Sequence, residues 1–243
     1  MKIFLAGFQS HRDIFFKVKP KYILESFYYI KNNDFVNYMN DIAESVLLDS
    51  GAFTFLNASK KNNNFDEYVV KYANFIKKNK IINYFEMDID AIVGIKKVEE
   101  YRKYIEDFTN TRSIPVWHKS RGIDYFENLT KNYDYIAIGG LAIKDIKRSE
   151  YKYLNPLIDI AHKNNCKVHG LGFTNTTLLK SIKFDTVDST TWNRGRFGEL
   201  CLYSNGNIEY IQRKKSRLKN QKQASEFNLL QWKKYADYVE RNI

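Results

Sequence analysis

The chain is poor in cysteine, proline and glycine. Cys166 and Cys201 are its only thiols in 243 residues, and no Cys-x-x-Cys occurs. That excludes a disulfide framework and a zinc site built from several thiolates, and it fits a reducing cytoplasm. With three prolines and 11 glycines, no Gly/Pro/Ser-rich linker forms, and no internal repeat is visible. One domain over 1–243 is expected, with 199–243 as a C-terminal extension. No apolar run reaches the roughly 18 residues of a membrane span, so no membrane partner is expected. The apolar start, Met1-Lys2-Ile3-Phe4-Leu5-Ala6-Gly7-Phe8, is too short for a signal h-region with its flanks and reads as a first core strand. Acidic residues are outnumbered, 28 against 39 Lys and Arg, for a net charge of +11. A surplus of that size points to a polyanionic partner, because neutralising phosphates releases counterions; the blander alternative is a soluble basic protein.

What the chain does have is a recurrence of β-rich apolar segments, at 2–7, 22–26, 46–50, 83–88, 113–117, 135–139, 167–172 and 184–188. Most are continuous rather than alternating, as in parallel strands covered on both faces. Helical patterns lie between them. The segment 65–78 places Tyr68, Tyr72, Phe75 and Ile76 on one face, and 98–108 does the same with Val98, Tyr101, Ile105 and Phe108; 155–164 and 176–181 are shorter. Alternating strand and helix predicts α/β architecture with right-handed crossovers, and eight strand candidates predict a TIM-like (β/α)8 barrel. The count depends on 22–26, which could instead open a helix through 27–30. Beyond Gly195, 199–211 predicts a β-hairpin around Asn205-Gly206. A basic segment, 213–222, and a closing helix, 227–239, follow.

In a parallel barrel the strand C-termini share one face, which holds the chemistry. Asp49, Asp88, Trp117, His118, Gly139, Gly140, Gly170, Gly172 and Asp188 all fall at or just past predicted strand ends. One glycine or aspartate there serves a turn; several acids are harder to explain so, since neighbouring carboxylates repel. Asp49 and Asp188 would form a two-carboxylate site suited to breaking a glycosidic bond. Asp185 and Asp188 are three apart and point to opposite faces of an extended strand, so only one reaches a mouth; Asp188 is nearer the end. Asp88, in Glu86-Met87-Asp88-Ile89-Asp90, is open to three readings: metal ligand, base-binding carboxylate or solvated loop. Gly139-Gly140 offers N–H donors and close backbone approach, or simply a tight turn. Trp117, His118 or Phe53 could stack on a base, although Trp117 could equally pack in the core. His162, Cys166 and His169 are too dispersed to expect a metal site. The basic residues Arg213, Lys214, Lys215, Arg217, Lys219 and Lys222 form a solvated face or, beside an aromatic-rich pocket, a phosphate track.

Taken in order, these segments resemble the tRNA-guanine transglycosylase superfamily, and more closely its phage-type branch that places 7-deazaguanines in DNA. The resemblance rests on Asp49-Ser50-Gly51-Ala52-Phe53, Gly139-Gly140-Leu141-Ala142, Gly170-Leu171-Gly172, Val187-Asp188-Ser189 followed by Arg194, and the hairpin segment from Gly198 to Gly206. It spans most of the chain, from about Val46 to Tyr210. Ala52 stands where the family has glycine, and the family's Cys3His zinc site has no counterpart here. The resemblance implies base exchange at guanine, with Asp188 as nucleophile and Asp49 as general acid/base. It further implies Asp88 (Asp90 the rival) on the purine N1–H and N2 amine, Gly139 and Gly140 on its O6 edge, and Arg194 on a phosphate or on Asp188. Without the zinc subdomain it implies DNA as the polymer, tRNA being the alternative, a free 7-deazaguanine such as preQ0 as second substrate, and no cofactor or metal. The expected compartment is the cytoplasm, the host's for a phage-encoded chain. A catalytically idle basic nucleic-acid-binding barrel is the rival from another class.

Overall fold

The computed structural model describes residues 1–9, 11–30, 33–51, 54, 64–212 and 220–243, with the side chains of 33–35, 37, 38 and 212 left aside. Seven strands form one parallel sheet: β1 (Lys2–Ala6), β2 (Tyr22–Ser26), β3 (Ser45–Asp49), β4 (Val116–Trp117), β5 (Tyr135–Ile138), β6 (Lys167–Gly170) and β7 (Thr186–Ser189). Their order is β3-β2-β1-β7-β6-β5-β4. Residues 84–85 lie between the two edges: Tyr84 bridges in parallel to Leu48 of β3, and Phe85 to Ile114, just ahead of β4. The sheet is therefore curled, with its edge strands facing each other across this segment.

Segment 83–88 is expected as a full strand but makes only those two bridges. The reason lies in Glu86. Its backbone N–H still donates to Ile114, but its carboxylate accepts the N–H of Val116 at 2.9 Å, so a side chain takes the place of the next backbone acceptor. The expected strand 113–117 shortens for a related reason, because Pro115 has no N–H to give the ladder.

Eight α-helices are described: α1 (Arg12–Val18), α2 (Asn33–Ile42), α3 (Phe65–Lys78), α4 (Asp90–Val93), α5 (Ile95–Thr109), α6 (Ile123–Asn132), α7 (Leu154–Lys163) and α8 (Gln221–Asn242). The expected helix at 176–181 is a turn instead, held by Leu178 and Leu179 N–H groups on the Asn175 carbonyl. Strand alternation sorts the apolar residues into two clusters. Phe4, Ala6, Tyr22, Leu24, Leu47, Phe85, Ile114, Val116 and Ala137 face inward. Ile3, Leu5, Ile23, Leu48, Tyr84, Ile136, Ile138, Val168 and Val187 face the helices. The inner cluster plugs the sheet's concave side, which leaves room for polar chemistry only at the strand C-termini.

Strands β8 (Glu199–Ser204) and β9 (Asn207–Gln212) pair antiparallel in a second sheet. Asn205 and Gly206, both with positive φ, form the two-residue connection. The free edge of β8 is satisfied by α8. Asn228 accepts the Cys201 N–H and donates to the Glu199 carbonyl, both at 2.9 Å, and Gln231 accepts the Tyr203 N–H at 3.2 Å. Buried Trp192 ties this region to β1 by donating to the Ala6 carbonyl at 2.8 Å and stacking on Phe8. Among the described residues no helix is long and apolar enough to cross a membrane.

Candidate functional site

Asp49 is the last residue of β3 and falls two positions beyond inward-facing Leu47. Two tyrosines of α3 hold its strand end: Tyr68 donates to the Ser50 carbonyl at 2.6 Å, and Tyr72 to the carbonyls of Phe85 and Leu48 at 2.9 and 3.3 Å. The Gly51 N–H turns back to Asp49 Oδ2 at 3.1 Å. That turn requires glycine. Its φ is +67°, and a Cβ would stand 2.5 Å from both Ser26 Oγ and Tyr28 Cβ. Burial pushes the Asp49 carboxyl up to about 6, the Gly51 N–H and the Ser26 hydroxyl draw it back, and the charges of Asp188 and Asp88 raise it further. Asp49 and Asp188 stand at the C-terminal ends of β3 and β7, and Asp88 follows the bridged residues 84–85, so all three belong to the same end of the sheet.

Asp188 is held differently. It is buried in β7, and its Oδ1 accepts from the Gly172 N–H at 2.5 Å and from His169 Nε2 at 3.1 Å. A carboxylate only accepts, so Nε2 carries the proton and Nδ1 accepts from the Thr186 hydroxyl at 2.7 Å. Tyr135 then donates to Thr186 Oγ1 at 2.5 Å. This chain of four side chains fixes Oδ1 and leaves Oδ2 with no hydrogen-bond partner among the described residues. His169 is fully buried, and its ring lies 5.2 Å from that of Phe85 and 6.2 Å from that of Phe4. Asp185 belongs to the opposite end of β7, where it accepts the Val168 N–H at 2.7 Å and pairs with His162 at 2.9 Å.

The third part of the mouth is an ionic cluster. Arg121, 3 % exposed, reaches Glu86 at 2.9 Å, Asp90 at 2.8 Å and Asp88 at 3.4 Å. Arg102 meets the other Glu86 oxygen at 3.1 Å. Burial raises the Glu86 carboxyl against the pull of both guanidinium groups. For Asp90, burial is outweighed by Arg121, and the carboxyl is held below its usual range. His118 Nε2 contacts both Asp88 oxygens at 2.8 Å; burial alone would lower this imidazole, but Asp88 outweighs it and raises its pKa. Asp88, Asp90 and His118 each present a ligand-type atom within 4.8 Å of the others, so the geometry could admit a cation, though Arg121 already supplies positive charge there.

Several expected contacts take another form. Trp117 points away from the mouth. It follows inward Val116 and precedes inward His118, so alternation turns its ring toward α6, where it packs edge-on against Phe126 and donates to the Gly122 carbonyl at 2.8 Å. Base stacking by Trp117 is thereby ruled out. The Gly139 N–H is spent on the Trp117 carbonyl at 2.8 Å and does not bind a ligand. What Gly139 supplies is space, since a Cβ there would stand 2.6 Å from His118 Cε1. The Gly140 N–H has no acceptor among the described residues and keeps the expected role open. Gly170 faces the Phe184 ring, which closes it to substrate; the other glycine of that motif, Gly172, serves the site through its N–H. Arg194 pairs with Glu199 at 3.1 Å and makes no described contact with Asp188, so its orienting role falls away. Phe53 and the basic residues Arg213, Lys214, Lys215, Arg217 and Lys219 lie outside the described residues. Lys222 is exposed and pairs with Asp13 beside α1. His162, Cys166 and His169 form no cluster.

His169 is a site residue that the sequence alone does not single out. A lone histidine in an apolar strand ordinarily reads as core, and its signal is parity: it sits at an inward position of β6, opposite Thr186 in register.

No protein-family model matches the chain, and no curated protein sequence does. Among solved structures, an enolase protein from Sargasso Sea environmental shotgun sequence aligns over 78 % of this chain with a TM-score of 0.46 and 7 % identity. The alignment covers 54 % of that protein, so this chain spans about half its length.

Proposed function

We propose that the chain is a DNA-guanine transglycosylase, exchanging guanine for a free 7-deazaguanine base such as preQ0 through a covalent aspartyl-sugar intermediate. With residues 84–85 counted as an eighth strand, its frame is a (β/α)8 barrel carrying the β8–β9 hairpin and α8. The observation that carries the reading is the unequal pair of carboxyls at one mouth. Asp49 is a desolvated acid with a pKa of about 6; Asp188 is anchored through Oδ1 with Oδ2 left over. A desolvated carboxyl beside one fixed through a single oxygen gives one site both a proton donor and a nucleophile.

In this mechanism Asp188 Oδ2 attacks C1′ of the target nucleotide. The C1′–N9 bond breaks through an oxocarbenium-like transition state, and Asp49 gives its proton to the departing guanine. The incoming base then loses its N9 proton to Asp49, N9 attacks C1′, and the ester to Asp188 breaks. Two inversions retain the configuration. Asp88 accepts from the purine N1–H and N2 amine, held at its angle by His118 and Arg121, and the Gly140 N–H faces the O6 edge. The nucleotide reaches the mouth from single-stranded DNA or by extrusion from a duplex.

The test is incorporation of labelled guanine, and then of a 7-deazaguanine, into DNA and into tRNA, read by nucleoside mass spectrometry. Exchange confined to DNA is the expected result. Exchange only into tRNA moves the activity to the alternative polymer. Alkali-labile abasic sites without exchange indicate a hydrolytic N-glycosidase, and tight binding with unaltered nucleosides indicates an idle binding module; either sinks the proposal.

A further inference from the structure

The sequence points to 213–222 as the phosphate track, yet the structure puts a basic cleft elsewhere. A cavity of about 600 Å³ opens between the segment 141–151 and the segment 172–175. Lys144, Lys147, Arg148 and Arg194 line it, and no carboxylate does. Lys144, Lys147 and Arg148 form no ion pair among the described residues, and exposed Asp145 of the same segment lies outside the lining. Glu150 is held by Lys119 and by the Lys147 N–H, and exposed Arg194 has one acidic partner among the described residues, half-buried Glu199. One wall is Gly172, whose N–H holds Asp188 Oδ1 at 2.5 Å. The cleft thus begins one hydrogen bond from the candidate nucleophile. Its floor is aromatic: Tyr151 stands edge-on to buried Phe173, centroids 5.5 Å apart.

We infer that this cleft binds the phosphodiester backbone flanking the target nucleotide, resting here on the base-exchange reading of the mouth. Unpaired cations around an acid-free cavity are a site for a polyanion, and a ring on the floor gives a neighbouring base a stacking surface. The volume lies within the range of small-ligand clefts and admits a nucleotide-sized group. With the sugar at Asp188, the adjoining phosphates fall beside Gly172, and Lys144, Lys147 and Arg148 follow along the strand.

The test is fluorescence anisotropy with a labelled single-stranded oligodeoxynucleotide of about 12 nucleotides. Wild type, Asp188→Ala, a cleft variant (K144Q/K147Q/R148Q) and a tail variant (K214Q/K215Q/R217Q) are titrated between about 50 and 200 mM salt. The cleft variant should bind roughly 10-fold or more weakly, and its log–log salt slope should flatten by about 2, from three lost phosphate contacts at ~0.7 each on a single strand. Its thermal melt should match the wild type, since all three side chains are exposed. Wild-type affinity and slope in the cleft variant, with the loss carried by the tail variant, would overturn the inference. Asp188→Ala separates the two claims, because it should abolish exchange and keep binding. A wild type that binds through the cleft and exchanges nothing sinks the reaction and leaves the cleft.

Discussion

The two sides of the mouth handle buried acid in opposite ways. On the β3 side the Asp49 carboxylate accepts one backbone N–H and meets no cation among the described residues, and its pKa rises to about 6. Across the mouth, Glu86, Asp88 and Asp90 are met by Arg102, Arg121 and His118 at 2.8–3.4 Å. An acid without a cation can trade a proton near neutrality; acids locked to guanidinium groups hold charge and position. In the proposed reaction this contrast assigns proton transfer to Asp49 and orientation to the ionic cluster.

The largest expected effect is at Asp188, which belongs to neither side. Asp188→Ala should reduce exchange by ~10³-fold or more and remove any covalent DNA adduct on a denaturing gel. An adduct that persists would move the nucleophile elsewhere. Next is Arg121→Ala, which leaves Asp90 without a cation and takes one of two partners from Glu86 and from Asp88, and should cost about 3–5 kcal/mol in denaturant unfolding. The sign with pH follows from Asp90, whose folded pKa is depressed. Its contribution is present above its unfolded value and lost as pH falls through the folded one. The penalty in the variant should therefore be full at pH 7 and shrink below about pH 4.

Asp49→Asn should slow exchange by ~10²-fold and act oppositely on stability. A raised folded pKa means the native state holds the extra proton between about 4 and 6, so the wild type loses stability as pH rises through that window. The amide removes that loss, and the variant should gain on the order of 2 kcal/mol at pH 7.5 and nothing at pH 4. Equal stabilities at both pH values would mean Asp49 is hydrated and the contrast between the two sides is false. The smallest effect should come from Trp117→Phe. It gives up one hydrogen bond under α6, about 1 kcal/mol, with no change in KM for DNA; a raised KM would return the indole to the mouth.

Much of this frame is legible in the residues. The runs that became β1, β2, β3 and β5 are largely apolar, and Asp49 and Asp188 fall at or beside the ends of β3 and β7. The rest failed for physical reasons. The segment at 83–88 looked like a strand because side-chain substitution for a ladder bond, as at Glu86, has no sequence signature. Helix α1 is only seven residues long and α6 is mostly polar, so neither carries a long helical period in the sequence. Proximity to a strand end suggests a ligand for the Trp117 ring and the Gly139 N–H, but strand alternation turns the ring toward α6 and the ladder takes the N–H. The polar chain from Tyr135 to Asp188 needs the register of three strands, which no single segment contains.

The position of β1 has a consequence for synthesis. It lies between β2 and β7, with Lys2 opposite Thr186 and Ile3 opposite Val187. During synthesis β1 has an unfilled side until β7, about 180 residues later in the sequence, has been made. Folding of so non-local a topology is slow and exposes an unpaired edge for the interval, so chaperone dependence and aggregation of truncated chains are the costs carried by this arrangement.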